Sequence, residues 1–192
     1  MIENLPSRSD AFSLLTEYNK EEKHIKHALA VEAVMRYMAV KNGENADEWG
    51  IIGLIHDLDY EQFPAEHCKK TGEILAGRGW PAAAVRAAIS HGWGMCSEEK
   101  PETMLEKTLF AMDELTGLIA ACAYVRPSKS VMDLEVKSVK KKWKEKAFAA
   151  GVNREVIEKG AVMLGADLPA LIEDCIAGMR AAAAELGLKG NL

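Results

Sequence analysis

The spacing of apolar residues constrains the fold of this chain more than any other feature. Along nearly the whole length they recur three or four positions apart, and no long stretch alternates apolar with polar residues. This period is that of an amphipathic α-helix and not that of a half-buried strand. The sequence therefore predicts an all-α helical bundle. The approximate predicted helices cover residues 9–18, 21–41, 47–57, 65–77, 81–91, 102–125, 134–149, 153–164 and 168–186.

Length and charge narrow the class of protein. The 192 residues are enough for one sizeable domain, so we expect a single domain over 1–192. The 24 Lys and Arg against 29 Asp and Glu give a net charge of −5, which disfavours nucleic acid or an anionic membrane as partner. No apolar run approaches the roughly 18 residues of a membrane span, and no targeting pattern opens the chain. We therefore expect a cytoplasmic protein.

The four cysteines lie far apart in the sequence and form no CxxC pair. Neither a zinc knuckle nor a disulfide framework is indicated by such spacing. We expect all of them to act as small buried hydrophobic residues. They are Cys68, Cys96, Cys122 and Cys175.

One histidine belongs to the apolar stripe of the second predicted helix. His27, Val31, Val34 and Met38 follow one another at intervals of four, three and four residues. Residues at these intervals share one face of a helix. We therefore expect His27 to point toward the core.

The segment from Trp49 to Asp57 is apolar on every side until its last two residues, His56 and Asp57. A helix of this kind is buried among its neighbours, so it carries a histidine and an aspartate into the interior. A buried carboxylate costs several kcal/mol unless a cation or strong donors compensate it. A metal ion at Asp57 is the simplest compensation.

A second inward carboxylate is expected on the long helix predicted at 102–125. Asp113 interrupts an apolar run and shares its face with Leu109, Phe110 and Gly117. These neighbours place Asp113 on the buried side of the helix.

In order and helical context, His27, His56-Asp57 and Asp113 resemble the H…HD…D pattern of the HD-domain superfamily of metal-dependent phosphohydrolases. The resemblance implies that these four residues together bind one divalent metal inside a helical bundle. It covers about residues 20–126 and leaves about 130–192 as an additional C-terminal helical extension.

His67 and His91 lie between the His-Asp pair and Asp113. In some HD subfamilies, including cyclic-dinucleotide phosphodiesterases and diiron oxygenases, two such histidines bind a second metal that the HD aspartate, here Asp57, bridges. The resemblance thus implies a site for one or two ions. Alternatively, His67 caps a helix and His91 contacts substrate or backbone. Imidazole and carboxylate ligands suit Mn, Fe, Co, Ni or Zn better than Ca, and Mg is a further possible ion.

The residues after the His-Asp pair differ from those of better-known branches. Leu58-Asp59-Tyr60 stands where many members have Ile-Gly-Lys, and the paired Glu-Asp of guanosine-tetraphosphate hydrolases is absent. The chain is more similar to compact, stand-alone bacterial HD or HDIG-type proteins. We expect Asp57, Asp59 and Glu61 to be catalytic residues. Asp59 and Glu61 would reach the pocket rim as proton donor or acceptor, and a solvated loop is the alternative for these two.

Four cations in the last third are candidates for binding substrate phosphates. Arg126 and Lys129 lie in a predicted loop, and Lys137 and Lys141 lie on the lysine-rich face of the helix at 134–149. Fixed positive charge near a phosphate stabilises the negative charge that develops during its hydrolysis. The commoner role of such lysines is to form a solvated helix face.

The resemblance implies a phosphohydrolase that cleaves a small phosphate ester, most simply a nucleotide, with metal-activated water. Two alternatives stay open. One is a diiron HD-type oxygenase, and the other is a nucleotide-binding module without turnover.

Overall fold

The computed structural model describes residues 1–191, and within that range its helices are joined by turns and loops with no β-strand. This confirms the predicted all-α bundle. No helix in the described range is both long and apolar enough to cross a membrane. Short 3-10 turns cover Pro64–Glu66 and Ser90–Gly92. The α-helices are α1 (Arg8–Tyr18), α2 (Glu22–Lys41), α3 (Ala46–Ile55), α4 (Lys69–Gly77), α5 (Ala82–Ile89), α6 (Met104–Tyr124), α7 (Val136–Trp143), α8 (Arg154–Leu164) and α9 (Leu168–Ala181).

Three predicted helices are shorter in the structure by at least four residues. Helix α4 starts at Lys69 and not at 65, because Cys68 adopts a positive φ of 65° that a continuous helix does not allow. Helix α7 ends at Trp143 and not at 149, since the chain turns there and Ala149 has a φ of 47°. Helix α9 ends at Ala181 and not at 186, with Ala182 as its C-cap.

Two of the helices that position candidate ligands, α3 and α6, begin at residues whose side chains cap them. Asn45 accepts hydrogen bonds from the backbone N–H groups of Asp47 and Glu48 at the start of α3. At the start of α6, Thr103 and Glu106 each accept a hydrogen bond from the other's backbone N–H. Such caps satisfy the free donors of the first turn and are worth about 1 kcal/mol each. They fix where α3 and α6 enter the core.

A close approach of α2 and α3 brings two candidate ligands together. A Cβ atom on Gly53 would lie 3.2 Å from the backbone carbonyl of Val31, so glycine permits this contact. Val31 is one turn after His27, and Gly53 is one turn before His56. The crossing point therefore sets the two histidines side by side.

Helix α6 crosses the same core and carries Asp113. Its buried side chains pack with those of α2 and α3 in one hydrophobic cluster, with Met35, Ile52 and Leu115 almost fully buried. Burying a side chain of this size contributes about 1.5–3 kcal/mol. Helices α8 and α9 pack against α6 and α2 and add Ile157 to the same cluster. The C-terminal helices thus support the helix that carries Asp113.

Gly160 should be essential to the contact between α8 and α6. A Cβ atom at Gly160 would lie 2.5 Å from the Cα of Ala111, too close for α8 to remain in place. We expect Gly160→Ala to lower the free energy of unfolding by about 1–3 kcal/mol, as overpacking does. Gly77→Ala is the matched control, since nothing lies within 4 Å of its added Cβ. Urea denaturation of both variants measures the difference, and equal stability would contradict the close contact.

Candidate metal centre

The structure brings the six predicted metal ligands into one cluster. They come from separate parts of the chain: α2, the segment after α3, the segment before α4, the 3-10 turn after α5, and α6. Neighbouring donor atoms in the cluster lie about 3 Å apart, as the distances below show. The residues are His27, His56, Asp57, His67, His91 and Asp113.

One half of the cluster is built around Asp113. Its Oδ1 lies 2.9 Å from Nε2 of His27 and 3.2 Å from Nε2 of His56. Oδ2 of Asp57 lies 3.6 Å from Nε2 of His27, and both residues line the cavity. These donors form a compact set of two imidazoles and two carboxylates.

The other half is built around the second oxygen of Asp57. Its Oδ1 lies 3.4 Å from Nε2 of His67, 3.3 Å from Nε2 of His91 and 3.5 Å from Nε2 of His56. The Nε2 atoms of His67 and His91 are 3.2 Å apart. Because its two oxygens face different sets of imidazoles, Asp57 has the position that a bridging carboxylate needs.

Three of the histidines are held from behind by hydrogen-bond acceptors. Nδ1 of His56 lies 2.7 Å from the carbonyl oxygen of Gly53, and Nδ1 of His91 lies 2.6 Å from that of Ala88. A carbonyl oxygen only accepts, so each Nδ1 donates and each neutral ring presents the lone pair of Nε2 to the cluster. Such outer contacts orient the imidazoles that bind metals in proteins.

His67 is held by a carboxylate instead of a carbonyl. Its Nδ1 donates to Oδ1 of Asp59 over 2.7 Å, and the other oxygen of Asp59 accepts from the backbone N–H of Thr71 over 2.8 Å. Asp59 is fully buried. The structure therefore places Asp59 behind His67, where it orients the ring, and not at the pocket rim as the sequence led us to expect.

The donor set fits a divalent cation. With their Nδ1 atoms donating, neutral His56 and His91 direct Nε2 lone pairs at carboxylate oxygens, which is repulsive without a positive charge between them. Burial and close packing do not leave room for these groups to turn away: His56 is fully buried and His91 nearly so. Protons or a metal ion can supply the missing charge. The nitrogen and oxygen ligands suit transition metals from Mn to Zn.

The pKa values of the cluster show the same demand for positive charge. Burial lowers the pKa of His27, but the hydrogen bond and charge of Asp113 outweigh it and raise that pKa to about 9. Burial also disfavours charged His67, yet its bond to Asp59 raises its pKa to about 11. Although burial alone would raise the pKa of Asp57, the neighbouring imidazoles lower it. Without a metal, His27 and His67 therefore favour the protonated form, whose positive charge offsets the carboxylates.

Glu61 also lies away from the pocket rim. Its Oε2 accepts hydrogen bonds of 2.9 Å from the backbone N–H groups of Lys20 and Glu21, and Nδ1 of His24 lies 3.1 Å away. A carboxylate in this position accepts hydrogen bonds from free N–H groups just before α2, and its negative charge interacts favourably with the positive N-terminal end of the helix dipole. Glu61 therefore supports the helix that carries His27 instead of contacting a ligand.

None of the four predicted substrate-binding cations lines the cavity as the described residues form it. Arg126 pairs with Asp133 over 2.7 Å, and Lys137 pairs with Glu135 over 2.6 Å. Arg126 follows Asp113 by 13 residues of mostly helical chain, which is about 20 Å at about 1.5 Å per residue. The length of α6 thus separates Arg126 from the cluster, and Lys129 and Lys141 do not line the cavity.

A cavity of 440 Å³ opens over the cluster. Glu114, which the sequence analysis did not single out, lines it and accepts a hydrogen bond of 3.0 Å from the backbone N–H of Asn153. Burial, followed by the charge of Asp113, raises the pKa of Glu114 to about 7. Glu114 can therefore hold or release a proton near neutral pH. Its position directly after Asp113 was the available signal.

Cys96 differs from the prediction for the cysteines. Cys68, Cys122 and Cys175 are buried as expected, but Cys96 is exposed and lines the cavity. The turn that follows His91 carries it to the surface, because Cys96 and Ser97 both donate their backbone N–H groups to the carbonyl of Gly92.

Asp59→Asn should weaken metal binding without removing a ligand. The amide of the variant still fits beside Thr71. It has no negative charge to accept the hydrogen bond from Nδ1 of His67, so the His67 ring is less firmly oriented and its Nε2 is less basic. Losses of this kind weaken metal affinity by about 10–100-fold. Competition with a chromophoric chelator measures the affinity, and Asp133→Asn, remote from the cavity, is the control. An unchanged affinity in Asp59→Asn would show that His67 is not a ligand.

Comparisons of the chain with family models, with curated proteins and with solved structures found no match.

Proposed function

We propose that the protein is a metal-dependent phosphohydrolase of the HD-domain type that cleaves a small phosphate ester, most simply a nucleotide. The main support is the position of Asp57, whose two oxygens face His27 on one side and His67 and His91 on the other. A carboxylate between two sets of imidazoles is the arrangement that the H…HD…D resemblance and its two extra histidines imply. A cytoplasmic location stays a prediction.

The ligands divide into two sets that share Asp57. His27, His56 and Asp113 would hold one ion, and His67 and His91 would hold a second. Divalent ions in such sites lower the pKa of water and neutralise charge on phosphoryl oxygens. The protein's own part is to fix the imidazoles of His56, His91 and His67 through hydrogen bonds to Gly53, Ala88 and Asp59.

The cavity supports a small substrate. Its volume of 440 Å³ lies in the usual range for small-molecule sites. Tyr60 lines it and is 46% exposed, so its ring is accessible at the side of the cavity. Stacking of a base on an aromatic ring contributes about 1–3 kcal/mol. An accessible tyrosine beside the ligand cluster favours a nucleotide over a phosphate ester without an aromatic group.

The charge of the cavity wall restricts the number of phosphates. Among the described residues that line it there is no Lys or Arg, while Asp57, Asp113 and Glu114 are acidic. A phosphate must therefore be balanced by bound cations and imidazoles. This favours a substrate with one phosphate at the site over a long polyphosphate.

The same observation keeps a diiron oxygenase as the second candidate. Four imidazoles and two carboxylates also suit two iron ions, and an oxygenase needs no arginine or lysine for a phosphate. Measurement of iron content and oxygen uptake separates the two activities. The third alternative, a nucleotide-binding module, predicts thermal stabilisation by nucleotide with no product formed.

Asp57→Ala should abolish both metal retention and hydrolysis. Metal analysis of freshly purified protein, followed by a phosphatase and phosphodiesterase panel with Mn, Co, Ni and Mg, tests this. Asp133→Ala is the control, because Asp133 is a carboxylate paired with Arg126 outside the cavity. We expect phosphate release by the wild type and the control and none by Asp57→Ala. Full metal content and activity in Asp57→Ala would contradict the proposal.

His91→Ala should lower the metal content from two ions per chain to one. The first set of ligands keeps His27, His56 and Asp113, whereas the second set loses one of its two imidazoles. Elemental analysis after dialysis against a fixed free metal concentration measures the stoichiometry. His24→Ala is the matched control, because His24 lines the cavity but pairs with Glu61 outside the cluster. Equal metal content in His91→Ala and the wild type would show that His91 binds no ion.

A further inference from the structure

Two thiols meet at the wall of the cavity. Sγ of Cys68 lies 2.7 Å from Sγ of Cys96, and both residues are free cysteines. A disulfide bond is about 2.05 Å long, so the sulfurs would have to approach by less than about 1 Å to form one. The pair is 28 residues apart in the sequence, so the fold and not local chain geometry creates the contact.

The backbone around both cysteines holds the sulfurs in one niche. Cys68 precedes α4 with a positive φ, and Cys96 belongs to the turn at 92–97, where its N–H donates to the carbonyl of Gly92 over 2.9 Å. A side chain at Gly92 would collide with both sulfur atoms. Glycine at this position therefore leaves the space in which the thiols face one another.

The two thiols differ in access to solvent. Cys96 is exposed and lines the cavity, whereas Cys68 is 1% exposed. A reagent in solution can reach Cys96 first. Cys68 can then react only with what Cys96 presents to it, since thiol–disulfide exchange needs direct access to the attacked sulfur.

We propose that Cys68 and Cys96 form a reversible intramolecular disulfide when the protein meets a low-molecular-weight disulfide such as oxidised glutathione. The Cys96 sulfur loses its proton and attacks one sulfur of the donor, and the first glutathione leaves as its thiol. The Cys68 sulfur then loses its proton and attacks Sγ of Cys96, which releases the second glutathione. Two protein thiols are oxidised and one donor disulfide is reduced to two thiols.

The modification would act on the segments that carry His67 and His91. Cys68 directly follows His67, and Gly92, which contacts both sulfurs, directly follows His91. Donor atoms of His67, Cys68 and His91 lie within 4.8 Å of one another. A disulfide would tie the two segments together and remove the Cys68 sulfur from this group. The disulfide proposal depends only on the two thiols, so it can fail or hold independently of the phosphohydrolase.

The test uses the full chain after EDTA treatment, so that no metal competes for the thiols. The protein is incubated with oxidised glutathione and then unfolded in denaturant that contains an alkylating reagent, which blocks the remaining free thiols. It is then digested with trypsin. We expect mass spectrometry to detect peptides 42–69 and 87–107 joined by a disulfide, and to find them separate after reduction with dithiothreitol. The peptides with Cys122 and Cys175, at 108–129 and 160–180, should carry only the alkyl group.

Two variants define the order of the steps. Cys68→Ser should stop after the first exchange and keep one glutathione on Cys96. Cys96→Ser changes an exposed residue and should leave Cys68 unmodified with no cross-link. The proposal is overturned if wild-type protein keeps glutathione on Cys96 while Cys68 stays free. It is equally overturned if Cys96 links only to Cys96 of a second molecule.

Discussion

The structure depends on how the charges of two mostly buried carboxylates are compensated. Asp57 and Asp113 lie among imidazoles, with Oδ1 of Asp113 2.9 Å from His27 and Oδ1 of Asp57 3.3 Å from His91. Removing either charge from water costs several kcal/mol, so the surrounding groups must supply positive charge. The close crossing of α2 and α3 at Gly53, together with α6, brings the donors together. The helix contacts that pack the apolar core therefore also position the candidate metal ligands.

The ends of two helices orient candidate ligands in the same way. His56 and His91 each donate from Nδ1 to the carbonyl three residues earlier, Gly53 for the first and Ala88 for the second. Carbonyls near the end of a helix lack partners within the helix, so the imidazole satisfies one and is fixed by it. The same hydrogen bond leaves Nε2 free to face the cluster. At both His56 and His91, one hydrogen bond thus satisfies a carbonyl at the helix end and orients the imidazole.

The sequence was most informative where a single helix decides the outcome. The inward position of His27 follows from the apolar stripe of α2, and that of Asp113 from the run around it in α6. For His67 and His91 the sequence left several roles open, because their partners come from other segments. Asp59 shows the limit most clearly. Only the fold could show that Thr71 and His67 occupy both of its oxygens.

The predicted role of Arg126 and the lysines required these cations to lie over the metal site. For Arg126 the length of α6 prevents this, since a long helix keeps its two ends far apart. The cavity wall is left with Asp57, Asp113 and Glu114 and, within residues 1–191, without a lysine or arginine. An anionic substrate is repelled by such a wall until cations or protonated imidazoles offset it. Substrate binding should therefore be linked thermodynamically to metal binding, since each lowers the electrostatic cost of the other.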